Sequence, residues 1–224
     1  MIKKKKAVIF DMDGVIFDSE KLVLQSWQWV AKQYGLEGIE EVFPKCIGVN
    51  AVNTKLIFLE YYGEEFPYDV YKKEASKWFH DRFDNGKLPL KPGVVELLSY
   101  LQEAGYKIGL ASSTREAVVT QEIRDAGLLS YFDNLTCGDM LKKSKPEPDI
   151  FFMACDKLGV TPEEAIVIED SYNGIRAAYR AGITPIMVPD MIAPDEEMKM
   201  LAYKICESLT EVRDWIKEAV ILER

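Results

Sequence analysis

Asp11 and Asp13 stand directly after a short apolar run, Ala7 to Phe10. In an extended chain, carboxylates two positions apart point to the same side, where they could attack an electrophile, transfer protons or hold a cation. Gly14 would allow the sharp turn that leads the chain away from this point. An acid pair at the end of a strand can also be a plain turn, so this signal is modest when taken alone.

Three other polar segments occur later in the chain, at residues 112–114, 145 and 169–170. The segment Ser112 to Thr114 offers hydroxyl and amide groups that could hold phosphate oxygens, although a plain helix cap would use the same residues. Lys145 lies in a loop framed by two prolines, which a solvated surface lysine would not need. Glu169 and Asp170 form a second acid pair, in which Asp170 is the better candidate for a metal ligand.

The elements that must position these side chains alternate between strands and helices. Short apolar runs rich in valine and isoleucine predict strands at Ala7–Phe10, Lys107–Ala111, Ala165–Ile168 and Pro185–Val188, and a weaker pattern predicts one at Asn134–Cys137. Helical patterns between them predict helices at Val94–Ala104, Glu116–Ala126 and Ile150–Leu158. This order predicts an α/β fold with a doubly wound parallel sheet. Ligands bind at the carboxyl ends of such strands, so the four polar segments should share one pocket.

About ninety residues separate the first predicted strand from the second, which is far more than a crossover needs. We therefore predict a helical insert over residues 16–90 and a core domain formed by residues 1–15 and 91–224. The predicted helices of the insert are Ser19–Tyr34, Asn53–Tyr62 and Val70–Phe83, the first capped by Asp18 or Ser19. Its core is expected to contain Trp27, Trp29 and Trp78.

Composition and charge limit the kinds of molecule that this protein is expected to bind. A formal net charge of −9 disfavours nucleic acid and anionic membranes as partners. No stretch approaches transmembrane length, and the first residues lack the apolar core of a signal peptide. The four cysteines are widely separated and are expected to be buried, reduced thiols, which favours a cytoplasmic protein. The lone histidine, His80, is expected to be a surface or packing residue.

In this order the four polar segments resemble the motifs of the haloacid dehalogenase-like hydrolase superfamily, across nearly the whole chain. The stretches Asp11-Met-Asp-Gly-Val and Glu169-Asp-Ser-Tyr-Asn-Gly are similar, almost letter for letter, to one branch of that superfamily. The branch carries a helical cap after the first motif and includes phosphoglycolate phosphatase-like, sugar-phosphate phosphatase and beta-phosphoglucomutase-like members. The resemblance implies a Rossmann-like core with an inserted helical cap domain.

The resemblance also implies a phosphatase that acts on a small phosphorylated metabolite. Asp11 would attack phosphorus to form an aspartyl phosphate, and Asp13 would be the general acid and base. Phosphate would be bound by Ser112, Ser113, Thr114 and Lys145, with Ser112 and Lys145 also counted as catalytic. The implied cofactor is Mg²⁺, which would be held by Asp11, by the backbone carbonyl of Asp13, by Asp170 and, directly or through water, by Glu169.

Two alternatives remain open beside hydrolysis. Beta-phosphoglucomutases share the four motifs but carry a histidine after the first motif and an arginine in the cap, where this chain has Val23 and Ala51. Asp13 argues for phosphate rather than halide, because a leaving halide needs no proton. A non-catalytic sensor of phosphometabolites is the alternative from another class. Substrate identity and oligomeric state are not indicated, although Glu20, Asn50 and Asn53 are candidate polar contacts.

Overall fold

A six-stranded parallel sheet forms the centre of the molecule, in a computed structural model that describes residues 4–222. Residues 1–3 and 223–224, which the sequence assigns to the core domain, lie outside the described part of the chain. The strands are β1 (Ala7–Phe10), β2 (Lys107–Ser112), β3 (Asn134–Cys137), β4 (Ala165–Glu169), β5 (Thr184–Met187) and β6 (Lys204–Ile205). Their spatial order is β3-β2-β1-β4-β5-β6, so the sheet is wound outward from β1 in both directions.

Ten α-helices accompany the sheet within the described residues. Four lie between β1 and β2: α1 (Glu20–Tyr34), α2 (Ile39–Val42), α3 (Ala51–Tyr62) and α4 (Tyr68–Phe83). The others are α5 (Val94–Glu103), α6 (Glu116–Asp125), α7 (Asp149–Leu158), α8 (Tyr172–Arg180), α9 (Glu196–Leu201) and α10 (Leu209–Leu222). The predicted doubly wound α/β sheet with a helical cap is confirmed.

Alternate side chains of β1 point to opposite faces of the sheet, as the two-residue period of a strand requires. Val8 and Phe10 belong to a buried cluster that includes residues of α5, α6 and α10. Ala7 and Ile9 belong to the cluster on the other face, with residues of α7 and α8. Because all four are fully buried, β1 is held rigidly, and the residues that follow it start from a fixed position.

The insert has an apolar cluster of its own, centred on Trp27, which stacks against Phe58 and Tyr68. The expected tryptophan core is wrong in part. Trp27 is 2% exposed, whereas Trp29 is 37% exposed and lies with the half-buried Trp78 in an outer cleft. Residues two apart on a helix face nearly opposite sides, so Trp27 and Trp29 of α1 cannot both enter the same core.

The two chain crossings between sheet and insert lie side by side as a short antiparallel ribbon. Phe17 pairs with Leu90, the amide of Asp18 donates to Pro89 O at 2.9 Å, and the amide of Lys91 donates to Ile16 O at 2.9 Å. The insert is therefore attached through two adjacent backbone segments. Along the described chain there is no helix with the length and apolar character that crossing a membrane requires.

Candidate active site

The carboxyl ends of three neighbouring strands bring the polar segments together. Phe10 is in register with Leu110 of β2 and with Ile168 of β4, so Asp11 emerges between Ala111 and Glu169. The amide of Asp11 donates to Ile168 O at 2.9 Å, which extends the ladder by one bond beyond β1. Asp11 is only 7% exposed, and its carboxylate is thus presented at a fixed, largely dry sheet edge.

Lys145 is the cation of this edge, and all three of its N–H donors are engaged by the protein. Its Nζ lies 2.5 Å from Asp11 Oδ1, 2.7 Å from Glu169 Oε1 and 3.0 Å from Ala111 O. The residue is 2% exposed and precedes a cis peptide bond to Pro146. Burial raises the pKa of the Asp11 carboxyl, and the nearby Lys145 opposes that rise. In this arrangement Lys145 neutralises and orients Asp11.

Glu169 is fully buried and uses both of its oxygens within the protein. Oε1 accepts from Lys145, while Oε2 accepts from the amides of Asp170 and Ser171, both at 3.0 Å, and from Ser171 Oγ at 2.9 Å. A Cβ at Gly174 would overlap this carboxylate, so the first turn of α8 requires glycine there. These bonds make Glu169 a support for Lys145 and for the turn that carries Asp170.

Asp13 is held by two hydroxyl groups from different parts of the chain. Ser19 Oγ donates to Asp13 Oδ1 at 2.7 Å, and Thr114 Oγ1 donates to Oδ2 at 3.2 Å. Ser19 is the residue before α1, as expected, but its side chain makes no capping hydrogen bond. Its hydroxyl donates to Asp13 instead. Burial raises the pKa of the Asp13 carboxyl, and the two hydroxyls partly offset this. A raised pKa suits a group that must both give and take a proton.

The segment after β2 turns back towards Asp13. Ser112 is 1% exposed, and its Oγ accepts from the amide of Thr114 at 3.0 Å. The Thr114 amide that the sequence predicted for phosphate is therefore engaged within this turn in the present structure. A Cβ at Gly138 would overlap the backbone carbonyl of Ser113, so the loop after β3 fixes the position of this turn.

The acidic residues fit a hard divalent cation. Oxygens of Asp11, Glu169 and Asp170 lie within 4.8 Å of one another, and carboxylate oxygens are the ligands that Mg²⁺ prefers. Asp170 is 4% exposed, and none of the described residues donates a hydrogen bond to its carboxylate. Burial, followed by the charges of Glu169 and Asp11, raises its pKa well above the ordinary value. A cation beside Asp170 would remove that electrostatic cost, whereas Glu169 already accepts hydrogen bonds at both of its oxygens.

A cavity of about 350 Å³ lies between this sheet edge and the insert. Asp11, Asp13, Asp170 and the segment 112–115 line its floor. The insert contributes an apolar wall around Trp27 and Phe43 together with two charged groups, Glu20 and Lys72. Lys72 was not predicted, because a lysine in the run Tyr71-Lys72-Lys73 carries no signal that separates it from a surface lysine.

The other candidate positions are placed as follows. Glu20 and Asn50 line the cavity, but Asn53 does not, and the side chain of Asn50 accepts from the Asn53 amide as the cap of α3. Val23 and Ala51 both line it, so neither position offers an ionisable side chain to the cavity. His80 is exposed, with Nδ1 at 2.8 Å from Asp84 Oδ1, and it reaches the cavity edge.

All four cysteines are free. Cys137, Cys155 and Cys206 are buried in the sheet domain, whereas Cys46 is half-buried and lines the cavity. The expected burial holds for these three cysteines, whereas Cys46 is less buried than expected. Burial raises the pKa of the Cys46 thiol to about 12.

Comparison with known proteins identifies similar chains. The family model described as haloacid dehalogenase-like hydrolase matches residues 8–188. The phosphorylated carbohydrates phosphatase of Thermotoga maritima is 34% identical over 81% of this chain and 83% of that protein. The beta-phosphoglucomutase of Bacillus subtilis is 32% identical over 82% of this chain and 83% of that protein. The crystal structure of CbbY from Rhodobacter sphaeroides in complex with phosphate superposes with a TM-score of 0.76 at 26% identity, over 93% of this chain and 96% of that one.

Proposed function

The chain belongs to the haloacid dehalogenase-like hydrolases, and we propose that it is a magnesium-dependent phosphatase that passes the phosphoryl group of a small metabolite through Asp11 to water. The observation that carries this proposal is the buried group at the sheet edge. There Lys145 bridges Asp11 and Glu169, and Asp170 lies in the same acidic cluster beside the cavity. The similar chain from Thermotoga maritima, named a phosphatase, supports the same reaction class.

Asp11 is the proposed nucleophile. One of its carboxylate oxygens forms a bond to phosphorus while the bond from phosphorus to the leaving oxygen breaks. Lys145 fixes the rotation of the carboxylate by holding Oδ1, and its charge reduces the repulsion between Asp11 and the phosphoryl oxygens. Because the three donors of Lys145 are already engaged, a direct contact with phosphate requires it to exchange one of them.

Asp13 is the proposed general acid and base. It gives a proton to the leaving oxygen, and then takes one from the water that attacks phosphorus and releases the Asp11 carboxylate. Ser19 and Thr114 hold both of its oxygens and aim the carboxyl towards the cavity that it lines. Burial raises its pKa, which favours the protonated form that the first step requires.

The proposed cation site uses Asp11 and Asp170, with the Asp13 backbone carbonyl as the third ligand from the chain. When bound, Mg²⁺ would supply the positive charge that offsets repulsion between the Asp11 carboxylate and a phosphoryl group. Glu169 contributes through Lys145 and through the turn before α8, because both of its oxygens are engaged there. Ser112 and the amide of Ser113 are the proposed donors to the remaining phosphate oxygens.

The test of the nucleophile is the Asp11→Asn variant. We expect it to lose Mg²⁺-dependent hydrolysis of p-nitrophenyl phosphate by at least about a thousandfold, because a carboxamide cannot form the acyl phosphate. The measurement is steady-state release of p-nitrophenol, with circular dichroism to verify the fold. The matched control is Asp156→Asn, an exposed acid on α7 outside the site, which should keep wild-type activity. Undiminished hydrolysis in Asp11→Asn would remove this residue from the mechanism.

Phosphomutase is the second candidate function, since the similar chain from Bacillus subtilis is named a beta-phosphoglucomutase. Hydrolysis is preferred because Val23 and Ala51 line the cavity at the two positions where the mutases carry a histidine and an arginine. A panel of sugar phosphates separates the two functions. Release of inorganic phosphate supports hydrolysis, whereas bisphosphate-dependent isomerisation without release would establish the mutase.

A further inference from the structure

The loop that follows β5, residues 188–195, reaches out of the sheet domain and contacts the insert. Met191 and Ile192 of this post-β5 loop pack against the insert's apolar cluster around Trp27. At the far end of the loop, Tyr172 Oη donates a hydrogen bond to Ala193 O at 2.7 Å. Tyr172 lies two residues after Asp170 in the chain. The loop is thus a part of the core that contacts the insert on one side and the first turn of α8 on the other.

Asp190 of the same loop is the centre of a charged group at the attachment of the insert. Lys91 Nζ lies 2.7 Å from Asp190 Oδ1, and Lys21 Nζ lies 3.5 Å from the same oxygen. Both lysines also approach Asp18 Oδ1, at 3.6 Å and 3.5 Å. Lys21 belongs to α1 of the insert, whereas Asp18 and Lys91 belong to the paired crossing segments. The ion pairs therefore connect the core loop, the ribbon and the insert.

The burial of Asp190 indicates that this contact is more than a surface ion pair. Its side chain is 1% exposed, and its Oδ2 has no hydrogen-bond partner among the described residues. Exposed ion pairs contribute little, but a buried carboxylate that loses its lysines is strongly destabilised. The charge of Asp190 is also the main reason that the pKa of Lys21 is raised. Any movement of the insert that carries Lys21 away leaves Asp190 less compensated.

We propose that the post-β5 loop is a latch that holds the insert over the site, and that Asp190 is the positioning residue of this latch. Its ion pairs with Lys91 and Lys21 favour the arrangement in which Glu20 and Lys72 face Asp13 across the cavity. Release of the latch opens the cavity and leaves the sheet domain intact. The inference concerns the position of the insert and stands independently of the proposed reaction.

The four cysteines provide the test, because they report on different parts of the molecule. Cys46 lines the cavity, whereas Cys137, Cys155 and Cys206 are buried in the sheet domain and react only when that domain unfolds. When opening is fast and reversible, the alkylation rate of a protected thiol follows the population of the open form. We expect Asp190→Asn to increase the rate of Cys46 alkylation by iodoacetamide about fivefold or more, with Cys46 still reacting faster than the three buried cysteines.

A second variant and a matched control complete the experiment. Lys91→Met should increase the Cys46 rate in the same way, and the double variant should be no faster than about the faster single variant, because both changes break one interaction. Glu197→Gln removes an ion pair between α8 and α9 that has no contact with the insert, and it should leave the Cys46 rate unchanged. Mass spectrometry of labelled peptides resolves the four sites.

The kinetic signature of a latch differs from that of a general loss of stability. With p-nitrophenyl phosphate, Asp190→Asn should raise KM several-fold with a smaller change in kcat, since the chemical groups at the sheet edge are untouched. An unchanged Cys46 rate in both variants would overturn the latch. Equal labelling rates at all four cysteines in the wild type would overturn it too, since Cys46 would then react only through global unfolding.

Discussion

At the scale of single residues, the acids of the site differ in how their charge is compensated. Asp11 accepts a hydrogen bond from Lys145, and Asp13 accepts one from each of two hydroxyl groups. Glu169 accepts from Lys145 and from three further donors. Among the described residues nothing donates to the Asp170 carboxylate, although it is 4% exposed. Burying a carboxylate without a partner is costly, so Asp170 destabilises the metal-free protein and favours binding of a cation.

This asymmetry gives a prediction for Asp170→Asn. Without metal, the variant should be more stable than the wild type at pH 7, by about 1–2 kcal/mol, because the uncompensated buried charge is gone. The wild type should gain about 2.7 kcal/mol from Mg²⁺ at one hundred times its Kd, whereas the variant should gain almost nothing. Urea unfolding in EDTA and in Mg²⁺ measures both effects.

The pH dependence of that difference follows from the raised pKa of Asp170. A carboxyl with a folded pKa above its unfolded value destabilises the protein once the pH exceeds the unfolded pKa, about 3.9 for aspartate. The advantage of the variant should therefore shrink as the pH falls towards 4. Glu211→Gln, remote from the site, is the control and should respond to Mg²⁺ like the wild type. A variant that still gains stability from Mg²⁺ would refute the assignment of Asp170 as a ligand.

The sequence predicts the placement of those site residues whose position depends on strand geometry alone. Asp11, Ser112 and Asp170 lie at one edge because each ends or follows a parallel strand, and the ends of neighbouring parallel strands coincide. Lys72 and Asp190 were not predicted, because packing between distant elements brings them to the cavity and the ribbon. Nor does the sequence show that the Thr114 amide donates to Ser112 Oγ, because this hydrogen bond depends on the conformation of one local turn.

At the scale of elements, α6 carries an acid into a second cleft between the sheet domain and the insert. Glu122 lines this cleft, of about 380 Å³, together with Phe17, Phe83 and Asp84. Burial, followed by the charges of Asp13 and other nearby acids, raises the pKa of Glu122 to about 8. The raised pKa means that Glu122 holds its proton to a higher pH in the folded protein than in the unfolded chain.

The corresponding prediction concerns Glu122→Gln. Between pH about 4.5 and about 8 the unfolded chain loses this proton and the folded protein keeps it, so wild-type stability falls as the pH rises. The amide variant lacks this slope. Near pH 4.5 the two proteins should be equally stable, and at pH 8.5 the variant should be more stable by about 2 kcal/mol, a value reduced for the partial exposure of the group.

Urea unfolding across this pH range measures the slope in metal-free protein. Glu116→Gln, an exposed acid on the same helix, is the matched control for the loss of one negative charge from α6. A constant difference between Glu122→Gln and the wild type would mean that Glu122 ionises normally in the folded state.

The elements that the sequence predicts well are those with strong periodicity. The ends of the five predicted strands agree with the structure to within one residue, because buried parallel strands read as continuous apolar runs. Strand β6, with only two half-buried residues, has no detectable period, and α9 is a helix of six residues. The limits of the insert at residues 16 and 90 stay a prediction, although the crossing ribbon lies at these positions.

At the scale of the whole molecule, the cavity exists only because the insert covers the sheet edge. Its floor carries the acids of the proposed site, and its roof carries Glu20, Lys72 and the apolar wall around Trp27. A phosphorylated ligand would therefore contact both parts at once, and occupancy should favour the covered arrangement. Because Cys46 lines the cavity, its reactivity should depend on occupancy.

The Asp11→Asn variant allows a substrate to bind without being consumed, and p-nitrophenyl phosphate with Mg²⁺ is the probe. We expect saturating probe to slow iodoacetamide labelling of Cys46 at least about fivefold, because the ligand fills the cavity and favours the form in which the insert is closed. The buried Cys137, Cys155 and Cys206 react only when the sheet domain unfolds, so their rates report the general gain in stability that any bound ligand gives. The control ligand is p-nitrophenol, which has the same ring and lacks the phosphoryl group, so it should protect little. Equal protection by both ligands would mean that the ring alone binds, and the sheet edge would then lose its assignment as the phosphate site.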